Sequence, residues 1–205
     1  MRNLLRRRLH ETTADNWTDA DLNALLDSAL ALVQTRVMEV SEDAFMQIVT
    51  GPLVADNEWY PLPDGFWYEL EVGIKSSATA TTFTTIARGS FEGNRNRNST
   101  LDRMYEIKGR FITFQAAPDY SHTTGYQLLF VPTLSLGADD TVPALHQALH
   151  VAIPLLAHRL ALGETEEATT EVEGVLKEIL DRIPLYYRRG GEGRQVRPDA
   201  GGPYY

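Results

Sequence analysis

The chain has 205 residues, 43% of them hydrophobic and 23% charged, with no cysteine and a formal net charge of −9. This composition is typical of a soluble globular protein with a full-sized core, and it excludes disulfide and thiolate chemistry. No apolar run approaches the roughly 20 residues that span a bilayer, and the basic start lacks the apolar core of a secretion signal, so we expect neither a membrane protein nor a secreted one.

Charge is distributed unevenly along the chain. Residues 1–10 carry a net charge of +4 and residues 188–205 a net charge of +2. Since the whole chain has a net charge of −9, residues 11–187 carry −9 − 4 − 2 = −15. A general nucleic-acid binder needs a basic face, which this acidic body does not predict. An acidic body with basic ends suits identical subunits that dock onto each other, although acidity also serves solubility alone.

The clearest helical pattern lies near the N-terminus. Thr18 is a candidate N-cap, with Asp19 and Asp21 in the first turn. Residues 42–49 could continue this helix until Gly51 and Pro52 end it. The apolar stripe consists of Leu22, Leu25, Leu26, Ala29, Leu32, Val33 and Val37, at helical spacing.

Residues 59–135 have a β pattern. A proline-rich turn at 59–65 precedes a predicted strand at Phe66–Ile74, and residues 79–87 are rich in threonine. Residues 104–107 and 110–116 predict a hairpin about Lys108 and Gly109, and residues 126–132 predict another strand.

Two helices are predicted in the C-terminal half. Residues 141–163 form one, with Pro143 in the first turn and a kink at Pro154, and residues 164–183 form the other, ended by Pro184. The pattern therefore predicts an α+β fold: a helical bundle, made of the long N-terminal helix (17–50) and a C-terminal helical hairpin (141–183), with a β insertion (59–135). A basic segment (1–16) precedes this domain (17–187), and an extended arm (188–205) follows it.

The arm cannot bury enough apolar surface to fold alone, because it holds five glycines and two prolines and only Val196 as a larger aliphatic residue. It can bind another molecule, or it is simply a frayed terminus. The candidate contact residues are its arginines and terminal aromatics: Arg188, Arg189, Arg194, Arg197, Tyr204 and Tyr205.

Two other groups of residues are candidate sites. His146 and His150 lie four residues apart, with His158 two helical turns further on, which is a spacing that metal-binding helices use. Gln147 stands where an HExxH motif has its glutamate, so exposed or interfacial histidines are the better interpretation, and we expect no metal or cofactor. The polar loop Asn94, Arg95, Asn96 and Arg97 is a weaker candidate for contact with DNA phosphates or with a protein neighbour.

The order of several short motifs resembles that of a phage head–tail connector subunit, the adaptor that docks beneath the portal. Each motif alone is weak, and the resemblance rests on their order over roughly residues 1–185. The motifs are Trp17-Thr-Asp-Ala-Asp-Leu22, Tyr60-Pro-Leu-Pro-Asp64, Met104-Tyr-Glu-Ile-Lys-Gly-Arg-Phe-Ile-Thr-Phe114, Leu128-Leu-Phe-Val-Pro-Thr-Leu134 and Asp139-Asp-Thr-Val-Pro-Ala-Leu145.

The resemblance implies a structural virion protein without catalysis, in a ring of twelve copies that extends the DNA channel from the portal to the tail. It implies a place in the neck, assembly in the bacterial cytoplasm, and contact of the arm with the portal or with neighbouring subunits. With this resemblance, the loop Asn94, Arg95, Asn96 and Arg97 is a weaker candidate for a tail-facing or intersubunit contact. Its partners would be further copies, the portal and the next tail-side protein, with DNA passing without sequence-specific contact. The alternatives are a tail-completion or stopper protein, a metal-dependent enzyme built on the three histidines, and a monomeric binding module.

Overall fold

The computed structural model describes residues 1–10, 16–90, 104–136, 145–162 and 169–187. These residues form five helices and one seven-stranded sheet. The helices are α1 (Arg2–Arg8), α2 (Asp19–Val40), α3 (Ala152–Leu162), α4 (Thr169–Asp181) and α5 (Ile183–Tyr186), with a 3-10 turn at Gln147–Leu149. The strands are β1 (Gln47–Leu53), β2 (Trp59–Pro61), β3 (Phe66–Ile74), β4 (Thr84–Arg88), β5 (Met104–Lys108), β6 (Phe111–Phe114) and β7 (His122–Pro132).

The start of α2 is the one that the sequence predicts. Thr18 is its N-cap, and the Thr18 side chain accepts the Asp21 N–H at 3.2 Å while the Asp21 carboxylate accepts the Thr18 N–H at 3.0 Å. This reciprocal capping box satisfies two donors that a helix start leaves unpaired. Most of the predicted stripe faces the core, with Leu22, Ala29 and Val33 fully buried, but Leu32 is 47% exposed and Leu30 is buried instead.

The sheet has the strand order β1-β7-β3-β4-β5-β6-β2 and is antiparallel except for the pair β4 and β5. It curls into a half-barrel. The Tyr60 ring on β2 lies 5.5 Å from the Tyr126 ring on β7, although these strands are far apart in the sheet order. The inner face holds an apolar core of Leu53, Tyr60, Val72, Ile74, Ile86, Tyr105, Ile112, Phe114, Tyr126, Leu128 and Phe130.

The helices form a second core beside the sheet. Its centre is the contact between α2 and α3, and α1 contributes the fully buried Leu5. Val131 at the end of β7 enters this core, so the two cores meet there. None of the helices among the described residues combines the length and the apolar character needed to cross a bilayer.

Two polar side chains of α2 attach the helices to the chain that leaves β7. Gln34 is fully buried, and its Nε2 donates to Pro132 O at 2.7 Å while its Oε1 accepts the Leu134 N–H at 3.0 Å. Two helical turns earlier on α2, Asp27 Oδ1 accepts the Leu136 N–H at 2.8 Å. These side chains replace the strand partners that residues 132–136 lose where the sheet ends.

The predicted fold class, a helical bundle with a β insertion, is wrong. The sheet is a seven-stranded half-barrel, and it is not an insertion into a long-helix bundle. The helix predicted to reach residue 50 ends at Val40, because Ser41 adopts extended backbone and the β-branched Ile48 and Val49 follow in β1. The turn predicted at 59–65 also contains a strand, β2.

The C-terminal helices differ from the prediction at their prolines. Pro154 lies in the first turn of α3, where a missing N–H is tolerated, so the predicted kink at this residue is wrong. Pro184 lies at the start of α5, and α4 has already ended at Asp181. The hairpin prediction is confirmed, since β5 and β6 flank Gly109, whose φ of +59° suits glycine.

Candidate interaction surfaces

All ten residues chosen from the sequence as contact residues lie outside the described residues. This holds for all six residues of the arm, Arg188, Arg189, Arg194, Arg197, Tyr204 and Tyr205, and for the loop Asn94, Arg95, Asn96 and Arg97. Their roles remain predictions.

The chain is firmly attached to the body just before the arm. The Tyr187 hydroxyl accepts the His146 N–H at 2.8 Å, and the Tyr187 ring lies 6.1 Å from the ring of Phe45. Burial raises the pKa of Tyr187. Tyr186 stacks on the His146 ring at 4.3 Å. The arm therefore starts from a fixed point on the helical side of the molecule.

The three histidines are separated by local contacts and do not converge. His146 caps the 3-10 turn, its Nδ1 accepting the Ala148 N–H at 3.3 Å, and the His150 ring lies 3.1 Å from Leu145 O. His158 lies on α3 beside Arg8, and burial followed by the Arg8 charge lowers its pKa. The described residues contain no group of three or more His, Cys, Asp or Glu side chains that could hold a metal ion.

The basic N-terminal helix binds its own body. Asp19 pairs with Arg2 at 2.8 Å and with Arg6 at 2.5 Å, and the hydrogen bond from Arg6 is the main cause that lowers the pKa of Asp19. Two of the four arginines in residues 1–10 are thus used within the chain. The remaining basic residues of α1, Arg7 and Arg8, lie in its last turn.

An exposed aromatic pair marks one edge of the sheet. Trp59 on β2 and Phe111 on β6 are 48% and 43% exposed, and their rings meet edge to face at 6.1 Å. Both alternate with inward-facing neighbours, Tyr60 and Ile112, so they lie on the outer face. We call Trp59, Pro61 and Phe111 the β2 surface. The sequence pattern does not predict the β2 surface, because it places Trp59 in a proline-rich turn.

The backbone beside this pair is protected. Asn57 Oδ1 accepts the Trp59 N–H at 3.2 Å and Asn57 Nδ2 donates to Trp59 O at 2.9 Å, while Pro61 has no N–H to offer. An edge strand with free backbone groups is a template for unwanted pairing, and Asn57 removes that template. The β2 surface can therefore contact a partner through its side chains and not through free backbone groups, and aromatic side chains are enriched in specific interfaces.

The opposite edge of the sheet is β1. Ile48 is 57% exposed there and lies on the outer face, since its neighbour Val49 packs on the inner core. Met46, just before the strand, is also exposed. We call Met46 and Ile48 the β1 surface. The sheet thus ends in two apolar surfaces of different composition.

Comparison with known proteins gives distant structural neighbours and no family. No family model matches the chain, and no curated protein matches it. Among solved structures, the chain is similar to a chain from the neck of an empty GTA (gene transfer agent) particle, computed with C6 symmetry. The two are 20% identical, with a TM-score of 0.36, over 95% of this chain and 92% of that chain. At this identity and TM-score the likeness adds no argument about function.

Proposed function

We propose that this chain is a structural virion protein, a head-to-tail adaptor whose copies form a ring that docks on the portal and continues the DNA channel to the tail. The observation that carries the proposal is the pair of unlike apolar surfaces at the two edges of the sheet. A ring closes by repeated heterologous contacts, and each contact needs two different complementary patches on every subunit. Twelve copies is the number that the sequence resemblance implies.

Four of the five motifs of that resemblance fall at structural boundaries. Trp17 to Leu22 opens α2, Tyr60 to Asp64 links β2 to β3, and Met104 to Phe114 is the β5–β6 hairpin. Leu128 to Leu134 carries the chain from the sheet to the helices, where Gln34 holds it. The fifth motif, Asp139 to Leu145, lies outside the described residues except for Leu145. The position of the four motifs at element boundaries supports treating them as one pattern.

Charge supports a channel that does not bind DNA. Residues 11–187 have a net charge of −15, which the +4 of residues 1–10 and the +2 of residues 188–205 reduce to −9 for the whole chain. A wall of this sign repels phosphates and lets DNA slide, whereas a basic wall would release counterions and hold it. The arginines of the arm are then available for an acidic surface on the portal or on a neighbouring subunit.

The arm supplies the test. Deleting residues 188–205 should leave the body folded, since a segment of this composition cannot contribute a core of its own, and should abolish capture by purified portal. Two full-length variants separate the contribution of charge from that of the aromatic rings. One replaces the four arginines of the arm by glutamine, and the other replaces Tyr204 and Tyr205 by serine. We expect the arginine variant to lose the salt dependence of binding, because exposed charges are screened within about 10 Å at 0.1 M salt.

Normal portal capture by the truncated chain would remove the arm from the account. A stopper or tail-completion protein would bind the tail-side face of an assembled portal–adaptor complex and ignore the bare portal, so the same experiment separates this alternative.

A further inference from the structure

Lys75 is a buried lysine that pairs with no carboxylate in the described part of the chain. It directly follows β3, is 8% exposed, and makes no ion pair within the described residues. Its backbone is fixed, since its N–H donates to Gly125 O at 2.8 Å and its carbonyl accepts the Tyr120 hydroxyl. Its ammonium lies 5.1 Å from the centre of the Phe83 ring, which compensates part of the charge. An ammonium held in this way is expected to have an anionic partner.

A ring nitrogen that can act as a second donor lies beside the ammonium. Lys75 Nζ donates to Thr124 Oγ1 at 3.1 Å and lies 3.4 Å from His122 Nε2. The Thr124 N–H donates to His122 Nδ1 at 3.0 Å, and the tautomer that accepts this bond has its N–H at Nε2. In that tautomer the ammonium and the ring present N–H groups to each other. Two donors at this separation fit one shared anionic acceptor.

The geometry also gives the site a third donor and an entrance. Thr124 Oγ1 accepts from the lysine, so its own O–H is free to donate outward. Thr124 is exposed and His122 is half-buried, whereas Lys75 is buried beneath them. An anion can therefore approach over His122 and Thr124 and meet the ammonium last. The site lies where β3 ends and β7 begins.

We propose that Lys75, His122 and Thr124 bind one carboxylate, supplied by an Asp or Glu side chain of a second copy of this chain. The inference rests on the ring of the proposed function and names one contact within it. The chain has 28 acidic against 19 basic residues, so another copy presents a surface rich in carboxylates. DNA phosphate is a poorer fit, because DNA-binding faces gather many cations and this site holds a single lysine on an acidic body.

Zero-length cross-linking tests the contact directly. A carbodiimide joins an amine to a carboxylate only when the two touch, so the assembled full-length chain would be prepared as an equal mixture of unlabelled and nitrogen-15 subunits. We expect a peptide containing Lys75 joined to an Asp or Glu peptide of the other isotope. Electron microscopy of the same sample reports whether rings are present, independently of the cross-link.

The two readouts separate the two proposals. Rings without an intersubunit cross-link at Lys75 would overturn the site and leave the adaptor proposal standing. The absence of rings under all conditions would overturn both. Shifts of the His122 ring resonances on adding inorganic phosphate or duplex DNA, with no cross-link in the rings, would give the site to a phosphate and overturn the carboxylate.

A substitution gives a second, independent measurement. Lys75→Met keeps the volume and removes the buried charge, so the isolated subunit should be as stable as the wild type or more so. Assembly should weaken, with the concentration for half-assembly rising about thirtyfold or more, the effect of removing one partner of a buried charge pair. Lys75→Arg is the matched control that keeps the charge. Unchanged assembly of the methionine variant would contradict the proposal.

Discussion

The junction between the sheet and the helices depends on one glutamine. Gln34 is fully buried on α2 and makes two hydrogen bonds to the chain leaving β7, to Pro132 O at 2.7 Å and from the Leu134 N–H at 3.0 Å. These bonds join residues about one hundred positions apart, so no local structure can replace them. We predict that Gln34→Ala destabilises the protein more than any exposed substitution on the same helix.

The magnitude follows from the contacts. Removing one partner of a buried hydrogen bond costs about 1–3 kcal/mol, and here a carbonyl and an N–H both lose their partner. Loss of the side-chain volume adds a cavity cost, so we expect about 3–5 kcal/mol in all for Gln34→Ala. Gln34→Met keeps most of the volume and should cost about 2–3 kcal/mol, because only the hydrogen bonds are lost.

Urea denaturation followed by circular dichroism measures both values. The neighbouring Thr35→Ala is the control, since Thr35 is exposed and its hydroxyl bonds only to Ala31 O in its own helix. We expect this control to change the free energy of unfolding by less than about 0.5 kcal/mol. If Gln34→Ala matched the control, the two hydrogen bonds would not be holding the junction.

Three further changes test other parts of the account. Burial, and after it the nearby positive charge of Arg8, lowers the pKa of His158 below its usual 6.5. The unfolded chain therefore binds the proton more readily, and the free energy of unfolding should fall as the pH drops below about 6.5. His158→Gln should flatten this pH dependence in urea titrations at pH 5.5 and 7.5, and an unchanged slope would contradict the explanation. A Cβ at Gly125 would lie 2.7 Å from Leu53, so Gly125→Ala should lower the melting temperature at a cost of about 1–3 kcal/mol, whereas Gly174→Ala, with nothing within 4 Å on a helix, should raise stability by about 0.5–1 kcal/mol. Trp59→Ser should reduce self-association in sedimentation with little effect on unfolding, and equal association would remove the β2 surface from the interface.

Local patterns predicted individual elements well. The cap at Thr18, the strand Phe66–Ile74 and the hairpin about Gly109 depend on residues close in sequence, and the structure has them where the pattern places them. The sheet as a whole could not be predicted in this way. It depends on pairings such as β1 with β7, and a three-residue strand such as β2 has no pattern of its own.

The candidate surfaces show the same division. The sequence alone does not show that Trp59 and Phe111 are exposed, or that Lys75 is buried. Exposure is decided by which face of a curled sheet a side chain occupies, and that follows from register. Nor does the sequence reveal that the Thr124 N–H donates to His122 Nδ1, since this depends on the local geometry near the start of β7.

The central claim is that copies of this chain form a ring in the neck of a tailed virion. Cryo-electron microscopy of particles that carry the chain, with an antibody label on it, tests this most directly. The account predicts a closed ring between portal and tail, with the two edges of each sheet facing neighbouring copies. Labelled chain found elsewhere in the particle, or present there as separate monomers, would contradict it.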